Sequence, residues 1–307
     1  MYVHPAGRQP PGRPGVSHVP VGHNHVRKPL TPGGYLIIIA VSTTDILSIR
    51  VGHSLAPPTI FTTSSLPSNR RMKLIVAGAT GYVGSEVVRQ ALRRRDITSV
   101  VALARRPVEI LDTVEGDVGK LKSVVIKDYD DYPEKVKKEF EGADGCIWTV
   151  AITPSKSRSL PFDEVKRVCQ DCTMSGLDAL YSAAAVDKRE EPFRFIYMSG
   201  AVTSRDRSVT PRFMPEYSWM RGETETKVLE YAAAHKGMEA CVAKPGYITG
   251  GDAMRTVMGT ALRLTMSVPN VTLQQVSAAM LEQVTKGFER DTLENEDLVK
   301  AGQQVLA

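Results

Sequence analysis

The sequence predicts an α/β fold built on a doubly wound parallel sheet. Between residues 73 and 244, short apolar runs alternate with stretches of helical period, which is typical of parallel strands joined by crossover helices. The predicted strands are KLIVAG (73–78), SVVALAR (99–105), SVVIKD (123–128), GCIWTVA (145–151), FRFIYMS (193–199) and MEACVAK (238–244). The predicted helices cover residues 83–95, 133–141, 162–186 and 218–236. A glycine-rich turn directly after the first strand favours the same fold.

The domain organisation follows from the length of each region. The six predicted strands leave no room for a second full domain, so residues 72–307 are predicted to form one domain. Only 57 residues follow Gly250, with helical periods at 276–290 and, less clearly, 294–305. We therefore expect residues 251–307 to form a small, helical substrate cap.

The first 71 residues have a different composition. They hold ten of the nineteen prolines and five of the six histidines, and they show no sustained period, so they are predicted to be disordered. They are interpreted as a low-complexity tail, an Arg-rich and acid-poor mitochondrial targeting segment, or translated sequence upstream of a natural start at Met72. We expect a cytoplasmic location, with the mitochondrion as the alternative. The apolar run at 35–41 is too short to cross a bilayer, so no integral membrane segment is expected.

Charge and cysteine usage exclude several classes of function. The formal net charge is +5, but residues 1–71 carry all of this excess, and the predicted domain is close to neutral. Nucleic acid is therefore not an expected partner. Four cysteines lack the spacing of a disulfide scaffold, which favours a reducing compartment. Cys169 and Cys172 form a CxxC within a predicted helix, with no second pair or nearby histidine, and are interpreted as ordinary helix residues.

The glycine-rich turn predicts a dinucleotide site. Gly78, Gly81 and Gly84 follow the first strand and open the first helix. Gly78 would allow the tight turn, Gly81 a close approach of the backbone to a pyrophosphate, and Gly84 close packing of helix on strand. The helix N-terminus would then face the phosphates, as in a Rossmann sheet.

The end of the second strand indicates which dinucleotide is bound. Arg105 and Arg106 stand where an NAD-binding protein usually offers an acid to the ribose hydroxyls. Arginine can bind a 2′-phosphate through two parallel hydrogen bonds, so NADP(H) is favoured over NAD(H). The alternative interpretation is a pair of solvated arginines at a strand end.

A tyrosine and an arginine four residues apart supply candidate acid–base chemistry. Tyr217 and Arg221 would share one face of a helix, where a cation lowers the pKa of a phenol and makes it a usable general acid. Ser199, at the end of the fifth strand, would lie at the same edge of the sheet and could hold a carbonyl oxygen. The alternatives are a half-buried tyrosine at a helix start and an ordinary strand-end serine.

Taken in order, GATGYVG, the serine of MSG, YSWMRGE and KPGYITG resemble the short-chain dehydrogenase/reductase superfamily. The resemblance is closest to its atypical branch around the Tat-interacting-protein-like oxidoreductases and a related fungal mitochondrial group. It runs from residue 73 to residue 250, and more faintly to 306. The chain departs from the family at Arg221, where the family has a lysine that also hydrogen-bonds the nicotinamide ribose.

The resemblance implies roles for particular residues. Tyr217 would be the catalytic acid/base, with Ser199 and Arg221 beside it. The cofactor would be held by a larger set, which comprises Gly78, Thr80, Gly81, Tyr82, Val83, Gly84, Thr149, Val150, Ala151, Pro245 and Gly246.

The expected function is that of an NADPH-dependent carbonyl or enone reductase, or the reverse dehydrogenase, acting on a small to medium organic molecule. A cofactor-binding regulator or scaffold is the first alternative, and a nucleotide-sugar epimerase is a more remote one. The segment 153–161, with Lys156 and Arg158, is expected to line the opening of the site. The predicted helix 162–186 is a candidate face for a homodimer by resemblance.

Overall fold

The computed structural model describes residues 71–109, 116–250, 257 and 268–307. The predicted disordered extension therefore lies outside the described residues, except for residue 71, and so does most of 251–267. The described residues all belong to one compact unit.

Seven parallel strands form the central sheet. They are β1 Met72–Ala77, β2 Ile97–Ala104, β3 Leu121–Val125, β4 Gly145–Trp148, β5 Phe193–Met198, β6 Met238–Ala243 and β9 Thr292–Leu293. Their order in the sheet is β3-β2-β1-β4-β5-β6-β9, which is that of a doubly wound Rossmann sheet, as predicted. Two short strands, β7 Tyr247–Thr249 and β8 Asn270–Thr272, pair separately.

Helices cover both faces of the sheet. In chain order they are α1 Tyr82–Ala91, α2 Glu134–Phe140, α3 Pro154–Ser157, α4 Phe162–Lys166, α5 Cys172–Ala183, α6 Pro215–Ala234, α7 Leu273–Lys286 and α8 Asn295–Leu306. A π-helical segment, Arg167–Asp171, interrupts the helix that was predicted as continuous over 162–186. Such segments occur frequently at functional sites.

The core is divided between the two faces because successive strand residues point in opposite directions. Ile75 and Trp148 lie on the face covered by α2, α5 and α6, whereas Leu74, Val76 and Ile147 lie on the face covered by α1 and α7. Burial on both faces explains why these strands appear in the sequence as continuous apolar runs.

The C-terminal helices pack on the central sheet. Within the region predicted as a small substrate cap, residues 251–307, α7 buries Val276, Ala279 and Val284 in the same core cluster as α1. Glu282 of α7 also forms an ion pair with Arg94, at 3.0 Å, just beyond α1. Strand β9 extends the sheet beside β6. It was not predicted, since two residues are too few to show an alternating pattern.

Within the described ranges, no helix has the length and apolar character needed to span a lipid bilayer.

Candidate active site

The candidate site lies at the carboxyl edge of the sheet, where the strand order reverses between β1 and β4. Connections leaving these two strands run to opposite faces and leave a crevice between them, which is where ligands bind in open α/β sheets. Gly78 follows β1, Thr149 follows β4, Ser199 follows β5, and Pro245 comes two residues after β6. The sheet therefore brings these predicted residues to one edge.

The glycine turn has the geometry expected of a phosphate-binding loop. Gly78 has a left-handed backbone, with φ of +81°, and its carbonyl accepts a hydrogen bond from the Gly81 amide at 2.8 Å. A Cβ atom at Gly84 would lie 2.2 Å from the Gly78 carbonyl oxygen, so only glycine lets α1 pack this closely. The first turn of α1, whose amides have no partner within the helix, begins directly after this turn at the edge of the sheet.

The remaining loop residues lie around this turn. Thr80 is partly exposed, and Val83 is buried beneath the turn. The Tyr82 hydroxyl donates to the Gly250 carbonyl oxygen. Across the crevice, the Thr149 hydroxyl donates to the Ala77 carbonyl oxygen at 2.8 Å. A Cβ atom at Gly78 would come within 2.6 Å of that hydroxyl, so the two loops are in direct contact.

Arg105 and Arg106 follow β2, which is the neighbour of β1 in the sheet. Both side chains are exposed, and neither forms an ion pair or a hydrogen bond within the described ranges. They lie at the same carboxyl edge of the sheet as Gly78.

Helix α6 carries Tyr217 in its first turn. It begins at Pro215, three residues earlier than predicted, because proline is favoured at the first position of a helix. The Tyr217 side chain is 7 % exposed, and its hydroxyl donates to the Ile152 carbonyl oxygen at 2.8 Å. Ile152 lies just beyond Thr149, Val150 and Ala151. The phenol therefore lies beside the segment that contacts the glycine turn.

Burial controls the acidity of this phenol. Desolvation raises the pKa of Tyr217 above its usual value, and the nearby Arg221 cation opposes that rise without overcoming it. Arg221 thus lowers the pKa of Tyr217, as expected of a nearby cation, but burial raises that pKa by more. Tyr217 is protonated at neutral pH.

Arg221 lies on the same helix face as Tyr217, as predicted, but it points into the protein. Only 2 % of the residue is exposed, and its Nη2 donates to the Met198 carbonyl oxygen at 2.7 Å. The guanidinium carbon lies 5.0 Å from the centre of the Tyr197 ring. Nε and Nη1 have no hydrogen-bond partner of ordinary geometry in the described chain, although Tyr217 and Cys169 interact with the cation electrostatically.

Ser199 does not hydrogen-bond to Tyr217 in this structure. Its hydroxyl donates to Glu225 Oε1 at 2.5 Å, and the Thr203 hydroxyl donates to the same oxygen. Glu225 is completely buried, and Arg205 donates from Nε to its other carboxylate oxygen at 2.8 Å. Sequence reasoning missed Glu225, although it lies four residues after Arg221 on the helix face already identified.

The CxxC cysteines have separate environments. Cys169, in the π-helical segment, accepts a hydrogen bond at Sγ from the Ile152 amide at 3.2 Å. Cys172 lies near Asp128, and burial raises the pKa of its thiol to about 12. Both are free thiols. Ile152 thus donates from its amide to Cys169 and accepts at its carbonyl from the Tyr217 hydroxyl.

The loop after β6 closes this edge of the sheet. The Pro245 carbonyl accepts from the Ala201 amide at 2.9 Å, and the Gly246 amide donates to Asn295 Oδ1 at 2.9 Å. A Cβ atom at Gly246 would lie 1.9 Å from the Pro269 carbonyl oxygen. The Pro-Gly pair is therefore tightly packed beside Ser199.

Comparison with known proteins shows the family to which the chain belongs. A family model described as NAD(P)H-binding matches residues 78–286. A hybrid PKS-NRPS synthetase, mycA of Thermothelomyces thermophilus, is 28% identical over 214 residues, which are 63% of this chain and 5% of that protein. The chain thus spans only a small part of the curated relative that it matches.

Solved structures with low sequence identity share the fold. The reductase domain of PhqB from Penicillium fellutanum has a TM-score of 0.54 at 16% identity, over 76% of this chain and 68% of that one. An NADP-bound short chain dehydrogenase from Burkholderia cenocepacia has a TM-score of 0.52 at 15% identity, over 78% of this chain and 94% of that one. At these identities the likeness shows the fold alone, which is a doubly wound α/β sheet.

Proposed function

The chain belongs to the NAD(P)H-binding family, and we propose that it is an NADPH-dependent oxidoreductase. It reduces a carbonyl or enone of a small to medium organic molecule, or runs the reverse dehydrogenation. One series of contacts carries the proposal. Gly78 meets Thr149, and three residues further along Ile152 accepts the Tyr217 hydroxyl at 2.8 Å. The proposed proton donor, Tyr217, therefore lies close to the segment that contacts the glycine turn.

The residues of the turn fit a pyrophosphate. The close contacts at Gly78 and Gly84 leave backbone amides facing the crevice without a side chain in front of them. A bound NADPH would supply hydride from the nicotinamide to the substrate carbon. Tyr217 would give its hydroxyl proton to the oxygen that becomes an alcohol, and solvent would then reprotonate the phenol. The Tyr217 hydroxyl must leave the Ile152 carbonyl for this transfer.

Cofactor choice is tested at the two arginines that follow β2. The variant with Arg105→Gln and Arg106→Gln removes both cations facing the proposed 2′-phosphate. In a fluorescence titration we expect wild type to bind NADPH at least about tenfold more tightly than NADH, and the variant to lose most of that preference. Arg95→Gln is the matched control, because Arg95 is exposed at the opposite end of β2. An unchanged preference in the double variant would remove these arginines from the site.

The raised pKa of Tyr217 gives a prediction for the pH profile. Reduction needs the protonated phenol, so kcat/KM for reduction should stay level through neutral pH and fall only above the ordinary tyrosine pKa of about 10. Oxidation needs the tyrosinate, so its rate should rise over the same alkaline range. Because the pKa of Tyr217 is higher in the folded state than in the unfolded state, this group stabilises the folded state at pH values below the ordinary tyrosine pKa. That stabilisation is lost as the pH rises through the folded-state pKa. A fall in reduction near neutral pH would contradict this assignment.

A cofactor-binding regulator is the second candidate, and the orientation of Arg221 favours it. The guanidinium is committed to Met198 inside the protein, whereas lysine in the resembling family contacts the nicotinamide ribose. In this alternative, NADPH occupancy controls a protein surface and there is little turnover. A partner that binds only in the presence of NADPH, together with no NADPH oxidation by a carbonyl panel, would favour the regulator over the reductase.

A further inference from the structure

Two chain segments form the entrance to the proposed site, on either side of Tyr217. The first, residues 153–160, follows Ile152, the residue that accepts the Tyr217 hydroxyl. The second, residues 204–214, precedes α6, and its last residue, Met214, packs against the small core cluster that contains Tyr217. The two segments meet where the Arg158 guanidinium lies 5.4 Å from the centre of the Phe213 ring. We call this surface the entrance rim.

The second segment is held firmly against α6. The Ser204 amide donates to the Ser218 carbonyl at 3.2 Å, and a Cβ atom at Gly222 would lie 1.9 Å from the Ser204 carbonyl oxygen. The Ser218 hydroxyl also donates to the Phe213 carbonyl at 2.9 Å. The rim is therefore a defined surface beside the proposed proton donor.

Three cations of the rim have no ion-pair partner among the described residues. Lys156, Arg158 and Arg212 are exposed, and within the described part of the chain no carboxylate forms an ion pair with any of them. Other rim arginines are neutralised. Arg207 pairs with Glu223 at 2.9 Å and stacks on Trp219, and Arg205 pairs with Glu225. Of these cations, Arg158 contacts the Phe213 ring, and Arg212 is the residue before Phe213 in the sequence.

Apolar surface accompanies this charge. Leu160 and Phe162 are 41% and 40% exposed, and Val209 is 59% exposed in the opposite segment. Single exposed apolar residues are ordinary, but here Leu160 and Val209 lie in the two segments that flank one site, and Phe162 lies just beyond the first segment. An apolar surface with unpaired arginines suits a ligand that has an apolar body and an oxyanion at one end.

We propose that the substrate carries an oxyanion, a carboxylate or phosphate, at the end remote from the reacting carbonyl, and that Arg158 and Arg212 bind it. This inference rests on the proposed function, because it names the substrate class of the same site. The arginines determine specificity and take no part in the chemical step. Arg158 is held over Phe213, so its guanidinium loses little freedom when it forms two hydrogen bonds to the anion.

The experiment compares carbonyl compounds in which a carboxylate takes the place of a methyl group on the same ring. The pairs are para-acetylbenzoate with para-methylacetophenone, and para-formylbenzoate with para-tolualdehyde. Each compound is titrated into the NADPH-saturated protein to obtain Kd, and NADPH oxidation is followed separately. We expect the carboxylates to bind at least about tenfold more tightly than their neutral partners, with the difference shrinking at high salt. Arg158→Gln and Arg212→Gln should each reduce it severalfold.

Arg207→Gln is the matched control. It removes the same charge from the same rim, but from an arginine that is already paired with Glu223, so the Kd difference should stay as in wild type. Equal Kd values within each pair, or no binding of any carboxylate, would overturn the inference. If wild type prefers the carboxylates, both arginine variants lose that preference, and wild type oxidises no NADPH, the anion site is kept and the reductase is rejected. If the charged and neutral compounds are both reduced with equal KM, the reductase is kept and the anion site is rejected.

Discussion

Tyr217→Phe is expected to lower kcat for carbonyl reduction by about 10² to 10⁴, the usual contribution of a positioned general acid. The substitution removes the proton proposed for transfer and leaves the ring in its buried position. NADPH affinity should change little, because the glycine turn does not contact the phenol hydroxyl. Loss of the hydrogen bond to Ile152 should reduce the free energy of unfolding by only about 1 kcal/mol.

The control for this variant is Tyr231→Phe. Tyr231 lies on the same helix, and its hydroxyl donates to Asp178 at 3.1 Å, away from the crevice. The two variants therefore lose the same atom from the same helix, and only Tyr217→Phe should lose turnover. Full turnover in folded Tyr217→Phe would reject Tyr217 as the proton donor, whatever the substrate.

Gly84→Ala is expected to weaken both folding and cofactor binding. Alanine in place of a helical glycine ordinarily stabilises a protein by about 0.5–1 kcal/mol. Here the added Cβ would lie 2.2 Å from the Gly78 carbonyl oxygen, and backbone must move to admit it. We expect the free energy of unfolding to fall by about 1–3 kcal/mol, as for other overpacked sites. The NADPH Kd should rise at least about tenfold, because the displaced turn is the one proposed to bind the pyrophosphate.

Gly81→Ala separates these two effects. Gly81 has an ordinary φ of −77°, and a Cβ atom there would lie 3.0 Å from the Gly78 carbonyl oxygen, so a small adjustment is enough. We expect Gly81→Ala to weaken NADPH binding with little change in unfolding. Chemical denaturation and NADPH titration of both variants are the measurements. A Gly84→Ala protein that is more stable than wild type would contradict the packing role of Gly84.

The parts of the fold that follow from local pattern could be predicted from the sequence. Six strands and the glycine turn were placed correctly, because a buried parallel strand and a phosphate loop each leave a contiguous signature. Strand β9 was missed because its two residues carry no pattern. The break in the helix at Arg167–Asp171 was also missed, since a π-helical segment changes the hydrogen-bond register without changing the apolar period much.

The side-chain contacts of the site could be predicted only in part. The spacing of Tyr217 and Arg221 predicts that they lie on one helix face. It does not predict the direction in which the Arg221 side chain points. That direction depends on the Met198 carbonyl and the Tyr197 ring, which both belong to β5. Met198 lies 23 residues before Arg221 in the sequence. The Ser199–Glu225 hydrogen bond likewise joins residues 26 apart. Packing between elements decides such contacts.

The packing of α7 on α1 has a consequence for how the chain acquires its cofactor site. The apolar face of α1, with Val83 and Val87, is covered by a helix nearly two hundred residues later, and Gln90 reaches the Gln274 carbonyl at 3.2 Å across that gap. During synthesis the glycine turn leaves the ribosome long before its cover exists. Contacts between such distant residues slow folding, and until α7 is made the exposed face of α1 favours aggregation or binding to chaperones.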